Sequence, residues 1–264
     1  MVKYIIYIGI IFIFFSCEKE DVTPELNLKN CKVEYLNFMD DRRFIDNAYE
    51  IMDDSMYFEY TNNNIVKTVG GFQLFPKGTN LLFRAFTNDV TDSVVYKGNQ
   101  IFVYTKPAYP YFLSDKPDNP TIYSLNDNDK LGKITRRDGV AFNYTYEDNL
   151  IIEKNSNDLV LRTFIMANNN LNKVLKEYYD SDGKMYYKKE ILFQDYDNNP
   201  NPFKNRYYLL GAFYRAFSEN NFSKYTINEY GYLNDGSFGQ NSSFTFTMPI
   251  KYNKYNLPIF GDYE

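Results

Sequence analysis

The sequence predicts an all-β fold, an antiparallel meander of repeated β-hairpins, and three observations carry that prediction. Aromatic residues recur at period two, as in Phe142-Asn143-Tyr144-Thr145-Tyr146, so one parity faces a core and the other faces water. Asn and Asp gather where such runs end, and these residues tolerate left-handed backbone and hydrogen-bond their own main chain, which lets a chain reverse. Finally, 27 Tyr and 23 Phe supply side chains that fill a pleated, half-buried surface.

The first segment is no part of that sheet. Lys3 gives a positive start, Tyr4 to Phe15 form an unbroken apolar run, and small Ser16 precedes Cys17. A membrane-spanning helix needs about 20 apolar residues, so this run is too short to span and suits a cleaved leader. Residues 1–16 therefore read as a lipoprotein signal peptide, with Cys17 as the lipidated N-terminus and the membrane as its partner through that lipid. Diacylglycerol plus an N-acyl chain anchors stably, since each buried methylene contributes about 0.8 kcal/mol. Residues 17–30 hold Pro24 and no apolar periodicity, which suits a flexible tether.

Residues 31–264 are read as a single β-meander domain. Met56 to Tyr60 leads through Thr61 to Asn64 into Ile65-Val66-Lys67, and Phe142 to Tyr146 leads through Glu147-Asp148-Asn149 into Leu150 to Glu153. A third hairpin runs from Leu161 to Met166, turns at Asn168 to Asn170 and returns through Leu171 to Leu175. Leu131, Leu150 and Leu171, about 20 residues apart, are expected at equivalent places. Further turns are expected at Lys97-Gly98-Asn99, Ser181-Asp182-Gly183 and Asn234-Asp235-Gly236. Two segments break the alternation. Over Asp41 to Asp53, Phe44, Ile45, Ala48, Tyr49 and Met52 fall at helical spacing, which allows a short amphipathic helix, with a strand as the alternative. Pro200 and Pro202 then introduce an apolar run from Tyr207 to Phe217 that is either a cap over the sheet or a functional loop. Pro107, Pro110, Pro117 and Pro120 mark a join near 107–120 between the repeats and either extra strands or a small subdomain.

Composition narrows the chemistry. With no histidine in the chain, Ser-His-Asp and Cys-His nucleophilic catalysis and histidine-ligated zinc are excluded. Once Cys17 is acylated only Cys31 remains, so no intramolecular disulfide forms. An excess of 34 acids over 29 bases speaks against nucleic acid, which needs concentrated cations. Asp127-Asn128-Asp129-Lys130-Leu131-Gly132 partly matches a calcium loop, yet Leu131 stands where an oxygen is needed and the stretch doubles as a hairpin turn. Asp180-Ser181-Asp182-Gly183 has the same ambiguity. The paired carboxylates Asp40-Asp41 and Asp53-Asp54 are read as solvated acids. No cofactor, metal ligand set or catalytic residue is assigned.

Two resemblances add to this reading. Cys17-Glu18-Lys19-Glu20-Asp21 resembles the export signal of surface lipoproteins in Bacteroidota-type Gram-negative bacteria, with Lys19, Glu20 and Asp21 as the signal. It implies display on the outer face of the outer membrane, the periplasmic face being the alternative. Asp195 to Lys204, Ser218 to Lys224 and Lys251 to Pro258 look like the C-terminal half of Bacteroidota lipoproteins built from YD-repeat-like β-hairpins, over roughly residues 120 to 264. That likeness implies a β-meander in the cell envelope and no activity. The functional expectation is a surface lipoprotein acting as a non-enzymatic binding module for a glycan, a host protein or another envelope component. The sheet face or the 203–217 loop would make the contact, with Tyr207, Tyr208, Phe213, Tyr214 and Arg215 as its candidate ligand-binding residues. The alternatives are a structural accessory subunit of an outer-membrane transporter and a carboxylate-based hydrolase with no residues to name.

Overall fold

The computed structural model describes residues 33, 35–37, 49–51, 55–77, 81–107, 119–248, 250–253 and 258–259. The expected signal peptide, Cys17, the tether and the export signal lie outside the described residues. Strands in chain order are β1 (Tyr35–Asn37), β2 (Tyr49–Ile51), β3 (Ser55–Thr61), β4 (Asn64–Lys77), β5 (Leu81–Lys97) and β6 (Gln100–Lys106). They continue as β7 (Thr121–Leu125), β8 (Leu131–Thr135), β9 (Ala141–Glu147), β10 (Leu150–Asn155), β11 (Val160–Ala167) and β12 (Asn170–Tyr179). The last are β13 (Met185–Pro200), β14 (Asn220–Tyr232), β15 (Phe238–Thr247), β16 (Lys251–Tyr252) and β17 (Pro258–Ile259).

From β3 to β15 every strand pairs antiparallel with the next, which is the expected all-β meander. The 15-stranded sheet also takes β1 beside β3 and β2 beside β5, and β16 pairs with β17 separately. Among the described residues, the strands at the two ends of this order do not pair with each other, so the sheet is open. Two segments of the first half each admit two readings. Within the segment read as a short helix, Tyr49–Ile51 is a strand that pairs parallel with Arg84 to Phe86, and the rest lies outside the described residues. Three residues beside an existing strand gain ladder hydrogen bonds that outweigh a weak helical period. Residues 108–118 lie outside the described residues, and β6 and β7 on either side pair directly.

Turn chemistry explains why the meander reverses where it does. Asn62-Asn63 and Asn168-Asn169 form two-residue turns with φ of 49° and 65°, and 49° and 61°, the doubly left-handed geometry that Asn accepts and that matches strand twist. Longer turns use a side-chain clamp. Asn126 Oδ1 accepts from the backbone N–H of Asn128 at 3.0 Å and of Lys130 at 3.1 Å. Asn155 and Asp180 repeat the same pair of bonds, Asp180 with Asp182 at 3.0 Å and Lys184 at 2.9 Å. In both stretches weighed as calcium loops, the turn is closed by this backbone clamp. Among the described residues no group of three or more Cys, Asp or Glu could hold a metal ion.

Alternation places Ile134, Tyr144, Ile151, Phe164, Val174, Ile191, Phe193, Tyr225 and Ile227 in one buried cluster on a single face. Phe142 and Tyr146 pack against it beside Tyr144, as their shared parity requires. The repeat differs from expectation by one residue: Leu150 is half-buried, and Ile151 occupies the inward place between Leu131 and Leu171. The two-residue turn Asp148-Asn149 pairs Leu150 with Glu147, so the next residue is the one that points inward.

Residues 201–219 leave the sheet between β13 and β14 and lie against its inner face. Arg206 Nη1 donates to the hydroxyl of Tyr60 on β3 at 3.2 Å, while the Tyr214 ring sits 5.5 Å from Phe193 on β13. In a flat sheet, ten strand spacings of about 4.8 Å would separate β3 from β13 by roughly 48 Å. The chain from Arg206 to Tyr214 spans at most about 28 Å fully extended, and 3₁₀ turns at Leu210–Ala212 and Arg215–Phe217 shorten it further. The sheet is therefore curled around this segment, which fills the hollow as a plug.

Candidate functional site

The plug is a built structure. Asn201 Nδ2 donates to the carbonyls of Arg215 at 2.7 Å and Ser218 at 2.9 Å, which ties its start to its end. Asn205 N–H donates to Ala216 O at 2.9 Å, and Ser218 Oγ accepts from Leu171 N–H at 3.0 Å. Phe217 packs 4.8 Å from the Phe164 ring and 5.1 Å from Tyr207. Tyr208 meets Tyr96 edge-on, and the two hydroxyls are 2.7 Å apart.

Of the residues expected to contact a ligand, Tyr207, Tyr208, Tyr214 and Arg215 are buried, and Phe213 is half-buried against the core. Arg215 is only 2% exposed; its guanidinium lies 3.9 Å over the Phe222 ring and donates to Phe222 O at 3.2 Å. Burial pushes the Tyr207 hydroxyl up to about 12 and raises that of Tyr208 still further. These five side chains hold the cap against the sheet, which is the first of the two roles expected for the segment. The apolar content of Tyr207 to Phe217 is that of a core element.

Beyond the plug, the same inner face changes from apolar to charged. On β9 and β10, Tyr144 stands opposite Glu153, and on β10 and β11, Glu153 stands opposite Arg162. Lys176 on β12 faces Lys189 on β13, which faces Glu229 on β14, which faces Ser242 on β15. One polar residue per strand thus forms a belt in two runs, over β9 to β11 and over β12 to β15, on either side of the point where β11 and β12 stop pairing beyond Thr163 and Leu175. Glu153, 2% exposed, is held from two sides: Arg162 Nε donates to its Oε1 at 2.8 Å, and Arg162 Nη2 and the Tyr144 hydroxyl donate to Oε2. Burial, and then the neighbouring Glu153 charge, raise the Tyr144 hydroxyl well above the usual tyrosine range. At the far end, Glu229 accepts from Tyr187 Oη at 3.0 Å and Ser242 Oγ at 3.2 Å, with Lys189 Nζ 3.7 Å away.

Arg162 is the joint between plug and belt. Its Nη1 reaches the Tyr214 hydroxyl at 3.4 Å, and its guanidinium carbon lies 5.3 Å from the Phe213 ring centre and 5.6 Å from that of Phe164. Two of the residues expected in a binding loop therefore buttress the belt from behind. Next to Arg162, beyond the last pairing of β11 with β12 at Thr163 and Leu175, a groove of about 720 Å³ opens whose walls include Glu153, Asp158, Arg162, Lys176 and Glu177. Its rim carries Tyr178, 43% exposed on the inner face with Lys176, and Tyr179, 53% exposed on the opposite face with Glu177. The Tyr178 ring is propped 5.5 Å from Tyr187 and 6.3 Å from Tyr186. A smaller cleft of about 310 Å³ separates the plug from the turns at Asp148-Asn149 and Asn169. Sequence reasoning missed the belt because its members are neighbours only through strand register. The one signal available was charged residues at inward parity, such as Glu153 two places after Ile151.

No family model matches the chain, and no curated protein matches it. Among solved structures, the chain is similar to a porin-like protein from Bacteroides vulgatus ATCC 8482, at 11% identity with a TM-score of 0.44, over 78% of this chain and 85% of that one. It is also similar to a porin-like protein from Bacteroides uniformis ATCC 8492, at 15% identity with a TM-score of 0.36, over 72% of this chain and 86% of that one.

Proposed function

We propose that this chain is an outer-membrane lipoprotein, held by a lipid on Cys17 and displayed on the cell surface, that works as a non-enzymatic binding module through the inner face of its curled sheet. The groove beside the belt carries the binding half of this reading. It combines open tyrosine rings with fixed polar groups, the make-up of a ligand cleft. The contact surface therefore moves from the 203–217 loop, whose side chains are spent on packing, to the face that the loop supports. The leader ending at Cys17 and the Lys19-Glu20-Asp21 pattern support the address.

One observation favours the accessory-subunit alternative. β15 is a ten-residue strand at the end of the sheet with no charged residue and no proline, the usual devices against pairing with another chain.

The address is tested on cells. Cys17→Ala is expected to leave unprocessed or soluble protein, and Ala at Lys19, Glu20 and Asp21 is expected to keep the lipid but lose sensitivity to added protease. Wild-type protein that resists protease on intact cells, while the same protease cuts the purified protein, overturns surface display.

A further inference from the structure

We propose that the groove between β10 and β12 is a binding site for a neutral oligosaccharide, a step that rests on the binding-module reading and names its ligand class. Three features of the groove lead there. A saccharide presents hydroxyls that each donate and accept, so its site needs donors and acceptors interleaved at close range. Around the groove Asp158 and Glu177 accept and Arg162 and Lys176 donate, while Glu153 at the floor is already engaged by Arg162 and Tyr144. The flat apolar face of a sugar ring also needs an aromatic surface, and Tyr178, on the same face of β12 as Lys176, supplies one at the rim.

The second feature is rigidity. The Arg162–Glu153 pair is fixed by Tyr144 on one side and by Tyr214 of the plug on the other. Tyr178 is braced by Tyr187 and Tyr186, and Tyr179 Oη donates to Glu177 Oε2 at 3.0 Å. Side chains already held in place lose little freedom when a ligand arrives, which matters for a sugar that has already given up bonds to water.

The third feature is mixed charge. Two cations stand against three carboxylates in the walls; the Arg162–Glu153 pair at the floor neutralises itself, and Lys176, Asp158 and Glu177 leave both signs around it. A uronate or sulfate would meet Asp158 and Glu177, and an ammonium sugar would meet Arg162 and Lys176. A neutral chain meets no like charge. A groove of about 720 Å³ lies within the roughly 300–1,000 Å³ range of ligand clefts.

The test uses the full lipidated chain in detergent micelles, titrated calorimetrically with neutral hexasaccharides (cellohexaose, maltohexaose and mannohexaose), anionic hexagalacturonate, cationic chitohexaose freed of its acetyl groups, and a hexaglutamate peptide. At least one neutral hexasaccharide is expected to bind at least tenfold more tightly than the charged sugars or the peptide. Tyr178→Ala is expected to weaken that binding at least tenfold, while Tyr179→Ala, on the opposite face of β12, is expected to leave it unchanged. Charged sugars or hexaglutamate binding as well as the neutral ones overturns the ligand class. Binding unchanged by Tyr178→Ala, or weakened as much by Tyr179→Ala, overturns the site, and silence across all probes overturns the proposal. In none of these cases is the address affected, because protease exposure on intact cells is read separately.

Discussion

Replacing Glu153 with Gln removes the charge that balances Arg162 and leaves the guanidinium against Phe164, Phe213 and Tyr214. Breaking a buried pair from one side costs about 3–5 kcal/mol, since the remaining charge is uncompensated. Arg162 keeps 21% of its side chain exposed against 3% for Glu153, which places the cost at the low end, about 3 kcal/mol. For a domain of this size, each kcal/mol lowers the midpoint by roughly 2–4 °C, so Glu153→Gln should melt about 6–12 °C below wild type. The double variant Glu153→Leu with Arg162→Met removes both charges and should recover most of that loss, because well-packed apolar residues replace such pairs at little cost. Urea titrations with circular dichroism read both values through the midpoint at constant slope. A loss below about 1 kcal/mol in the single variant, or a double variant no better than the single, would refute the view that this pair joins plug to sheet.

Phe217→Ala should cost about 3–5 kcal/mol in a thermal melt, because its ring fills the space between Phe164, Phe213 and Tyr207. Gly70→Ala should destabilise by about 1–3 kcal/mol in the same assay, since its φ of 109° is costly for an L side chain and a Cβ there would stand 2.7 Å from Phe86 Cζ. Tyr208→Phe should cost about 1 kcal/mol through loss of the hydroxyl contact with Tyr96. Burial raises Tyr207 from 10.0 to about 12, so its contribution to stability is fully present below pH 10 and is lost as pH rises toward 12. Ultraviolet titration of tyrosinate should show a late class of tyrosines that ionises together with unfolding, whereas a single class titrating near 10 would contradict the buried plug.

Period-two patterning and turn residues made the meander legible, because both are local. Phe142, Tyr144 and Tyr146 share a face whatever the rest of the chain does, and Asn168-Asn169 reverses it wherever it stands. Leu131 and Leu171 hold equivalent buried places, whereas at the middle repeat Ile151 takes that place instead of Leu150, since the parity depends on whether the turn holds two residues or three. Over Tyr49–Ile51 a helical period lost to pairing with β5, a partner more than thirty residues away. For the plug, sequence offered a cap and a functional loop, and the choice rests on contacts such as Arg206 with Tyr60, which only a curled sheet brings together. The belt was illegible for the same reason. Lys176, Lys189 and Glu229 meet through the registers of three strands, and no spacing in the chain announces that.

Surface display and an open groove are tested together by labelling a cysteine placed at Tyr178, in a chain whose Cys31 is changed to Ser. A membrane-impermeant maleimide should label Tyr178→Cys on intact cells as fully as on permeabilised cells, with no label on the Cys31→Ser parent. Label that enters only after permeabilisation would place the groove inside the envelope, and failure to label even then would mean that the rim is covered.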